Sequence, residues 1–188
     1  MKGSPERGMK GQTGRVRNWT VGGALITRPV GTGDGAACDA VLLVCNRRRD
    51  GSYDWTTPGG VIDPGEDVLD GIRREVREET GLTITAFGGL AYELEAHAPD
   101  LGWHLRVEVH RALAYEGDLH VGDDPDGIVV DARFVDLADC AHHLGGAAQW
   151  VREPLSEWAV EQWEGLRGYR YRIAGRERAS LDVTRQLQ

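Results

Sequence analysis

The stretch Gly60–Leu82, GVIDPGEDVLDGIRREVREETGL, decides how this 188-residue chain is read. Asp63-Pro64-Gly65 is turn chemistry, because proline presets φ and glycine accepts positive φ without a Cβ clash. Asp67 suits a helix N-cap, and Asp70 falls in the first turn, where a carboxylate complements the helix dipole. The pattern predicts a helix from there to Thr80, with Gly81 placed to end it at C′.

Val68, Leu69, Ile72 and Val76 make the apolar stripe of that helix. At about 100° per residue from Val68, Glu75, Glu78 and Glu79 fall near about −20°, −80° and +20°, so three carboxylates crowd one edge and Glu79 projects onto the stripe. Like charges at i,i+3 and i,i+4 destabilise a helix by roughly 0.2–0.5 kcal/mol each. Partial burial of an unpaired carboxylate costs more. Arg74 can offset Glu78 one turn away, but one arginine does not neutralise three glutamates. A divalent cation does. Hard oxygen donors suit Mg²⁺ or Mn²⁺, and the segment holds no thiolate or imidazole that would favour zinc. Gly71 lies one turn before Glu75 on the same edge; a glycine inside a helix costs about 1 kcal/mol against alanine, and its position reads as space for a metal or phosphate. The competing reading is a solvated acidic face.

Working outward, 22 basic against 30 acidic residues give a net charge of −8. That excludes a general binder of nucleic acid or anionic membrane, which needs a basic surface. At 40% hydrophobic and 28% charged, the composition is globular. The longest apolar run, Ala40–Cys45, is far too short to span a bilayer. Cys38, Cys45 and Cys140 show no CxxC spacing, which points to a reduced, cytoplasmic setting. Residues 1–18 carry Lys2, Arg7, Lys10, Arg15 and Arg17 against Glu6 and lack the apolar block of a secretory signal, so they read as a flexible basic tail. Residues 19–188 read as one domain, with 150–188 as a C-terminal helix and hairpin extension. This body is more acidic than the whole chain, and to handle an anionic substrate it needs a cation in between.

Val21–Thr27 and Ala40–Cys45 read as strands joined through Gly31-Thr32-Gly33-Asp34-Gly35, a hairpin connection rather than a phosphate cradle, since no helix pattern or GK[ST] ending follows it. Leu90–Glu95, Leu105–Ala114 and Ile128–Val135 are further strands. Pro154–Leu166 is predicted helical, and Tyr169–Ile173 with Arg178–Val183 forms a hairpin turning at Ala174-Gly175. The fold class is α+β: a mixed sheet with helices on its faces.

The quoted stretch resembles the Nudix box, Gly-x5-Glu-x7-Arg-Glu-U-x-Glu-Glu-x-Gly-U with U aliphatic. Gly60, Glu66, Arg74, Glu75, Val76, Glu78, Glu79, Gly81 and Leu82 fill every specified position. The lead-in Trp55-Thr56-Thr57-Pro58-Gly59-Gly60 is similar to the family's usual one, Thr57 standing where an apolar residue is common. The resemblance implies a Nudix fold, an α/β/α sandwich, and hydrolysis of a nucleoside diphosphate linked to another moiety with a divalent cation on the box helix. It further implies Glu75 and Glu79 as principal metal ligands and Glu78 as a ligand or base. Arg74 would orient a glutamate, Glu66 would support the site, and Gly59 and Gly60 would provide a tight backbone turn beside the metal. Such relatives commonly add a carboxylate from a late loop, for which Asp126 and Asp124 are the candidates; Glu93, Glu95 and Glu108 are lesser ones.

Outside the box, Arg47-Arg48-Arg49 can contact phosphate or form a solvated turn. Trp19, Tyr92 and Trp103 can stack on a base, although core or rim packing is the plainer role for each. Trp150, Trp158 and Trp163 read as packing between the C-terminal helix and the body, and the histidines as structural or surface groups. The leading function is thus a Mg²⁺-dependent (or Mn²⁺-dependent) Nudix hydrolase of a small nucleotide-type diphosphate, with a homodimer through residues 150–188 as one possible assembly. A non-catalytic nucleotide or ADP-ribose sensor on the same fold is the alternative; a sensor need not retain the box glutamates, and all are present. An isomerase would want a cysteine opposite the metal, for which no motif is seen. Nucleoside triphosphate, ADP-ribose, dinucleoside polyphosphate and nucleotide sugar all remain open as substrates.

Overall fold

A computed structural model describes residues 16–29, 38–121, 127–177 and 180–187. The Gly31–Gly35 connection, Asp124 and Asp126 lie outside the described residues. The strands are β1 (Arg17–Leu25), β2 (Thr27–Pro29), β3 (Cys38–Arg47), β4 (Tyr53–Thr56), β5 (Gly59–Val61), β6 (Thr83–Ala98), β7 (Trp103–Glu116), β8 (Val129–Asp136), β9 (Arg167–Ala174) and β10 (Asp182–Arg185). The helices are α1 (Val68–Thr80), the single turn α2 (Cys140–His143) and α3 (Gln149–Glu161).

The apolar run Val21–Thr27 is therefore two strands. β1 pairs parallel with β7 and antiparallel with β5 in a six-stranded sheet of order β10-β9-β6-β7-β1-β5. One residue later the Ile26 carbonyl accepts from the Leu42 N–H at 2.8 Å, so the chain has changed ladders. β2 then pairs with β3, which also carries β4 and β8 in the second, four-stranded sheet. β6 and β7 form a long hairpin that turns at Pro99–Gly102; the first half of β6 holds several register shifts between Ile84 and Tyr92.

Helix α1 follows its sequence signals. The Asp67 side chain accepts from the Leu69 N–H at 2.9 Å, and Gly81 ends the helix at φ 72°, donating its N–H to the Arg77 carbonyl. Ile72 and Val76 are fully buried with Ala24, Ile26, Leu42, Leu82 and Ile84. Each buried Ile, Leu or Val among them contributes roughly 1.5–3 kcal/mol by leaving water. The second core lies under α3, where Leu155, Trp158 and Ala159 pack with Leu94, Ala96, Tyr169, Tyr171 and Ile173. The buried Tyr169 and Tyr171 hydroxyls donate to Glu157 and Glu153 of α3, each at 2.9 Å, which ties β9 to the helix.

The helix expected over Pro154–Leu166 begins earlier and ends sooner. Pro154 sits inside α3, where it makes no hydrogen bond to the carbonyl four residues back and its ring crowds that carbonyl. Gln162 terminates the helix in the left-handed region, at φ 46°. Trp163 falls beyond it and donates its indole N–H to the Ala91 carbonyl at 2.8 Å. β9 and β10 pair antiparallel at the C-terminal end, but the second strand, expected over Arg178–Val183, runs from Asp182 to Arg185. No helix among the described residues is long and apolar enough to cross a membrane.

Candidate active site

The loop before α1 folds back on the helix through one arginine. Arg74 grips Glu66 with two bonds, Nε to Oε1 at 3.0 Å and Nη2 to Oε2 at 2.9 Å. Its Nη1 donates to Glu75 Oε1 at 2.7 Å and reaches Glu78 Oε2 at 3.4 Å. Glu66 also accepts from the Asp63 N–H at 3.1 Å, closing the turn. Arg74 and the Asp63 amide hold the Glu66 carboxyl below the usual carboxylate range, while Glu66 and Glu75 raise the already high basicity of Arg74. The arginine is a permanent cation inserted among three of the four box carboxylates.

The fourth, Glu79, is fixed by backbone. It is only 7% exposed, and its Oε2 accepts from the Gly59 N–H at 2.8 Å. Gly59 adopts φ 145°, and a Cβ there would collide with the Gly22 carbonyl of the neighbouring β1. Only glycine delivers that N–H to Glu79 at this distance from the strand.

Glu75, Glu78 and Glu79 line one wall of a cleft of about 630 Å³, together with Gly59, Gly60, Asp63 and Arg74. The lining also includes the apolar side chains of Val21, Leu94, Leu105, Val107 and Trp150. Asn46, Arg48 and Thr56 of the second sheet also reach the cleft. Its size and its mix of apolar side chains with a few polar groups are those of a small-molecule site.

The donor set fits a hard divalent cation. Among the described residues no three carboxylate, imidazole or thiolate groups stand together as a ready-made cage. The three glutamates instead offer carboxylate oxygens from one side of an open cleft. That arrangement suits an ion that retains water and takes its remaining ligands from a substrate phosphate.

Several sequence expectations change here. Gly71 does not leave room for a ligand: a Cβ on it would come within 2.6 Å of the Ile62 side chain and 2.9 Å of Glu66 Oε2, so the returning loop fills that space. Tyr92 and Leu94 line the cleft, which by strand alternation puts Glu93 and Glu95 on the other face of the sheet; Glu108 lies between the lining residues Val107 and Val109 and turns away likewise. Of the three consecutive arginines, Arg48 reaches the cleft, held by a two-pronged bond to Asp54 at 2.7 and 2.8 Å. Of the aromatics considered for stacking, Tyr92 lines the cleft and is 3% exposed. Trp19 and Trp103 stand 6.5 Å apart, and Trp103 is 6.0 Å from Trp150. Trp150, expected only to pack, lines the cleft as well. Asn46 was not singled out; its one signal is a polar side chain directly after the apolar run Ala40–Cys45.

Known proteins resemble this chain in sequence and in fold. A family model described as the NUDIX domain matches residues 22–158. The bis(5'-nucleosyl)-tetraphosphatase (asymmetrical) of Mus musculus is 46% identical over 64 residues, 32% of this chain and 42% of that protein. The 8-oxo-dGDP phosphatase NUDT18 of Homo sapiens is 41% identical over 44 residues, 23% of this chain and 14% of its own length. The matches thus span less than half of these curated relatives. The crystal structure of a MutT NUDIX hydrolase from Burkholderia pseudomallei superposes with a TM-score of 0.57 and 26% identity, covering 74% of this chain and 96% of that one. With its helix flank of glutamates, its glycine turn and a family match over most of its length, this chain belongs to the Nudix family.

Proposed function

We propose that this protein hydrolyses the diphosphate linkage of a nucleoside diphosphate joined to another moiety, using Mg²⁺ or Mn²⁺. The observation that carries the reading is the placement of Glu79, pinned by the Gly59 amide in the lining of a cleft that it shares with Glu75, Glu78 and several apolar side chains. Glu75, Glu78 and Glu79 would hold the cation. When bound, it supplies charge neutralisation for the phosphate oxygens and lowers the pKa of a coordinated water.

The remaining roles belong to the chain. Arg74 keeps Glu75 and Glu78 from repelling each other and ties both to Glu66, so it acts as a positioning residue. Glu78 is the more exposed of the cleft glutamates on α1 and suits acceptance of a proton from the attacking water. The apolar side chains exclude water from the nucleoside end, and Arg48 stands where a phosphate or sugar oxygen can be met. The names of the relatives suggest oxidised nucleoside diphosphates and dinucleoside polyphosphates as the first compounds to try. The setting proposed is cytoplasmic.

The test is a panel of nucleoside di- and triphosphates, 8-oxo nucleotides, dinucleoside polyphosphates, ADP-ribose and nucleotide sugars incubated with Mg²⁺ or Mn²⁺, with products identified. Turnover should vanish on chelation and fall by about 10²-fold or more in Glu79→Gln, a metal-site change. Binding without turnover of any member would instead support the sensor alternative.

A further inference from the structure

We infer that Asn46 selects the nucleobase, by presenting a fixed hydrogen-bond acceptor that takes the exocyclic amino group of an adenine-type or cytosine-type base. The inference deepens the nucleotide reading above and rests on it. Asn46 lies at the end of β3, is 6% exposed and lines the cleft. Its Nδ2 donates to Asp54 Oδ1 at 3.4 Å and to Thr56 Oγ1 at 3.2 Å, both on the adjacent β4.

The neighbours decide which way the amide points. Both carboxylate oxygens of Asp54 accept from Arg48, so Asp54 meets Asn46 as an acceptor. The Asn46 atom against it must be the nitrogen; the flipped amide would set oxygen against carboxylate. Both N–H bonds of the amide are then used, and Oδ1 has no partner among the described residues. Oδ1 is not one of the buried side-chain atoms left without a partner, so it is open to the cleft and available to accept from a ligand there.

The apolar lining of the same cleft identifies the ligand group. Leu94, Leu105, Val107 and Trp150 offer apolar and aromatic surface, which suits the flat face of a base rather than a phosphate or a hydrated sugar. A base seated there that turns an amino group to Asn46 gains a bond. Its oxo counterpart meets acceptor with acceptor. A site that hydrogen-bonds one substrate group rejects the analogue lacking it far more strongly than a purely apolar pocket does.

The experiment is calorimetric titration of the full chain, in Mg²⁺, with nucleoside monophosphates that have no diphosphate linkage to cleave. AMP against IMP and CMP against UMP form the amino/oxo pairs; AMP against dAMP is the ribose arm. The amino member should bind at least about tenfold more tightly in each pair, and Asn46→Leu should bring the ratio within about twofold. If Asn46→Leu does not fold, Thr56→Val, which unlocks the amide without removing it, should reduce the same ratio. Ratios near one in the unmodified protein, no binding by either member, or a preference that survives Asn46→Leu would overturn the inference. A loss confined to dAMP would place the ribose at Asn46 and overturn it too. Hydrolysis without amino/oxo discrimination defeats this inference alone; discrimination without hydrolysis upholds it and defeats the proposed activity alone.

Discussion

Gly60 and Glu75 are compatible only because one of them has no side chain: a Cβ on Gly60 would lie 2.5 Å from the Glu75 carboxyl carbon. Gly60 pairs with Gly22 across the β5–β1 ladder, so the backbone is held and cannot retreat. Gly60→Ala should therefore push Glu75 out of place rather than unfold the protein. A displacement of about 1 Å is enough to cost about 10²-fold in rate. Turnover by the variant, measured beside its melting temperature, checks this; an unchanged kcat would mean that Glu75 needs no fixed position.

Arg74 is a fork, and its role depends on that shape. Two prongs hold Glu66 while Nη1 serves Glu75 and Glu78. Lysine retains the charge but offers no planar pair of donors. Arg74→Lys should weaken metal affinity or activity by about 10- to 100-fold, the range found when a group that orients metal ligands is changed. Titration with Mn²⁺ followed by electron paramagnetic resonance reads the affinity directly.

Glu66 makes folding depend on pH in a definite sense. Its carboxyl lies below the usual range because Arg74 and the Asp63 amide favour the charged form. A group with a lowered folded pKa contributes stability above its unfolded value, and that contribution is lost as pH falls through the folded one. Glu66→Gln should melt below the unmodified protein at neutral pH, with the gap closing as pH drops through about 4 and lower. Melting curves across that range check it; a gap that persists in acid would mean that the loss is one of packing.

Burial pushes the Cys140 thiol up to about 11, so it has almost no thiolate at ordinary pH. It is fully buried at the start of α2. Under native conditions at pH 8, iodoacetamide should leave Cys140 unmodified, whereas unfolding in urea should expose it. Peptide mass spectrometry distinguishes the two.

What could be read from the sequence was what is local. Asp67 and Gly81 bound α1, and the 3.6-residue period placed both its buried stripe and its acidic edge, because every partner in those inferences lies within a few residues. Gly71 was misread for the complementary reason. A helical wheel gives the direction of a missing side chain but not the loop, through Ile62 and Glu66, that returns to fill the space. The first half of β6 escaped because register shifts around Gly88 and Gly89 break its alternation. Trp150 and Asn46 come from distant segments, and only the packing of α3 and β3 brings them to one cleft. The Gly59–Glu79 bond likewise joins residues whose proximity depends on β5 lying beside β1.

The switch of ladders at Ile26 has a consequence for how this molecule can vary. A single residue couples the reading frames of two sheets, one bearing the glycine turn and the other the Asn46 strand. An insertion or deletion there would invert the inward and outward alternation of one sheet relative to the other, whereas changes of length beyond β2 would leave both frames intact. Diversification of the ligand should therefore proceed by exchanging side chains within fixed frames, with changes of chain length confined to the connections.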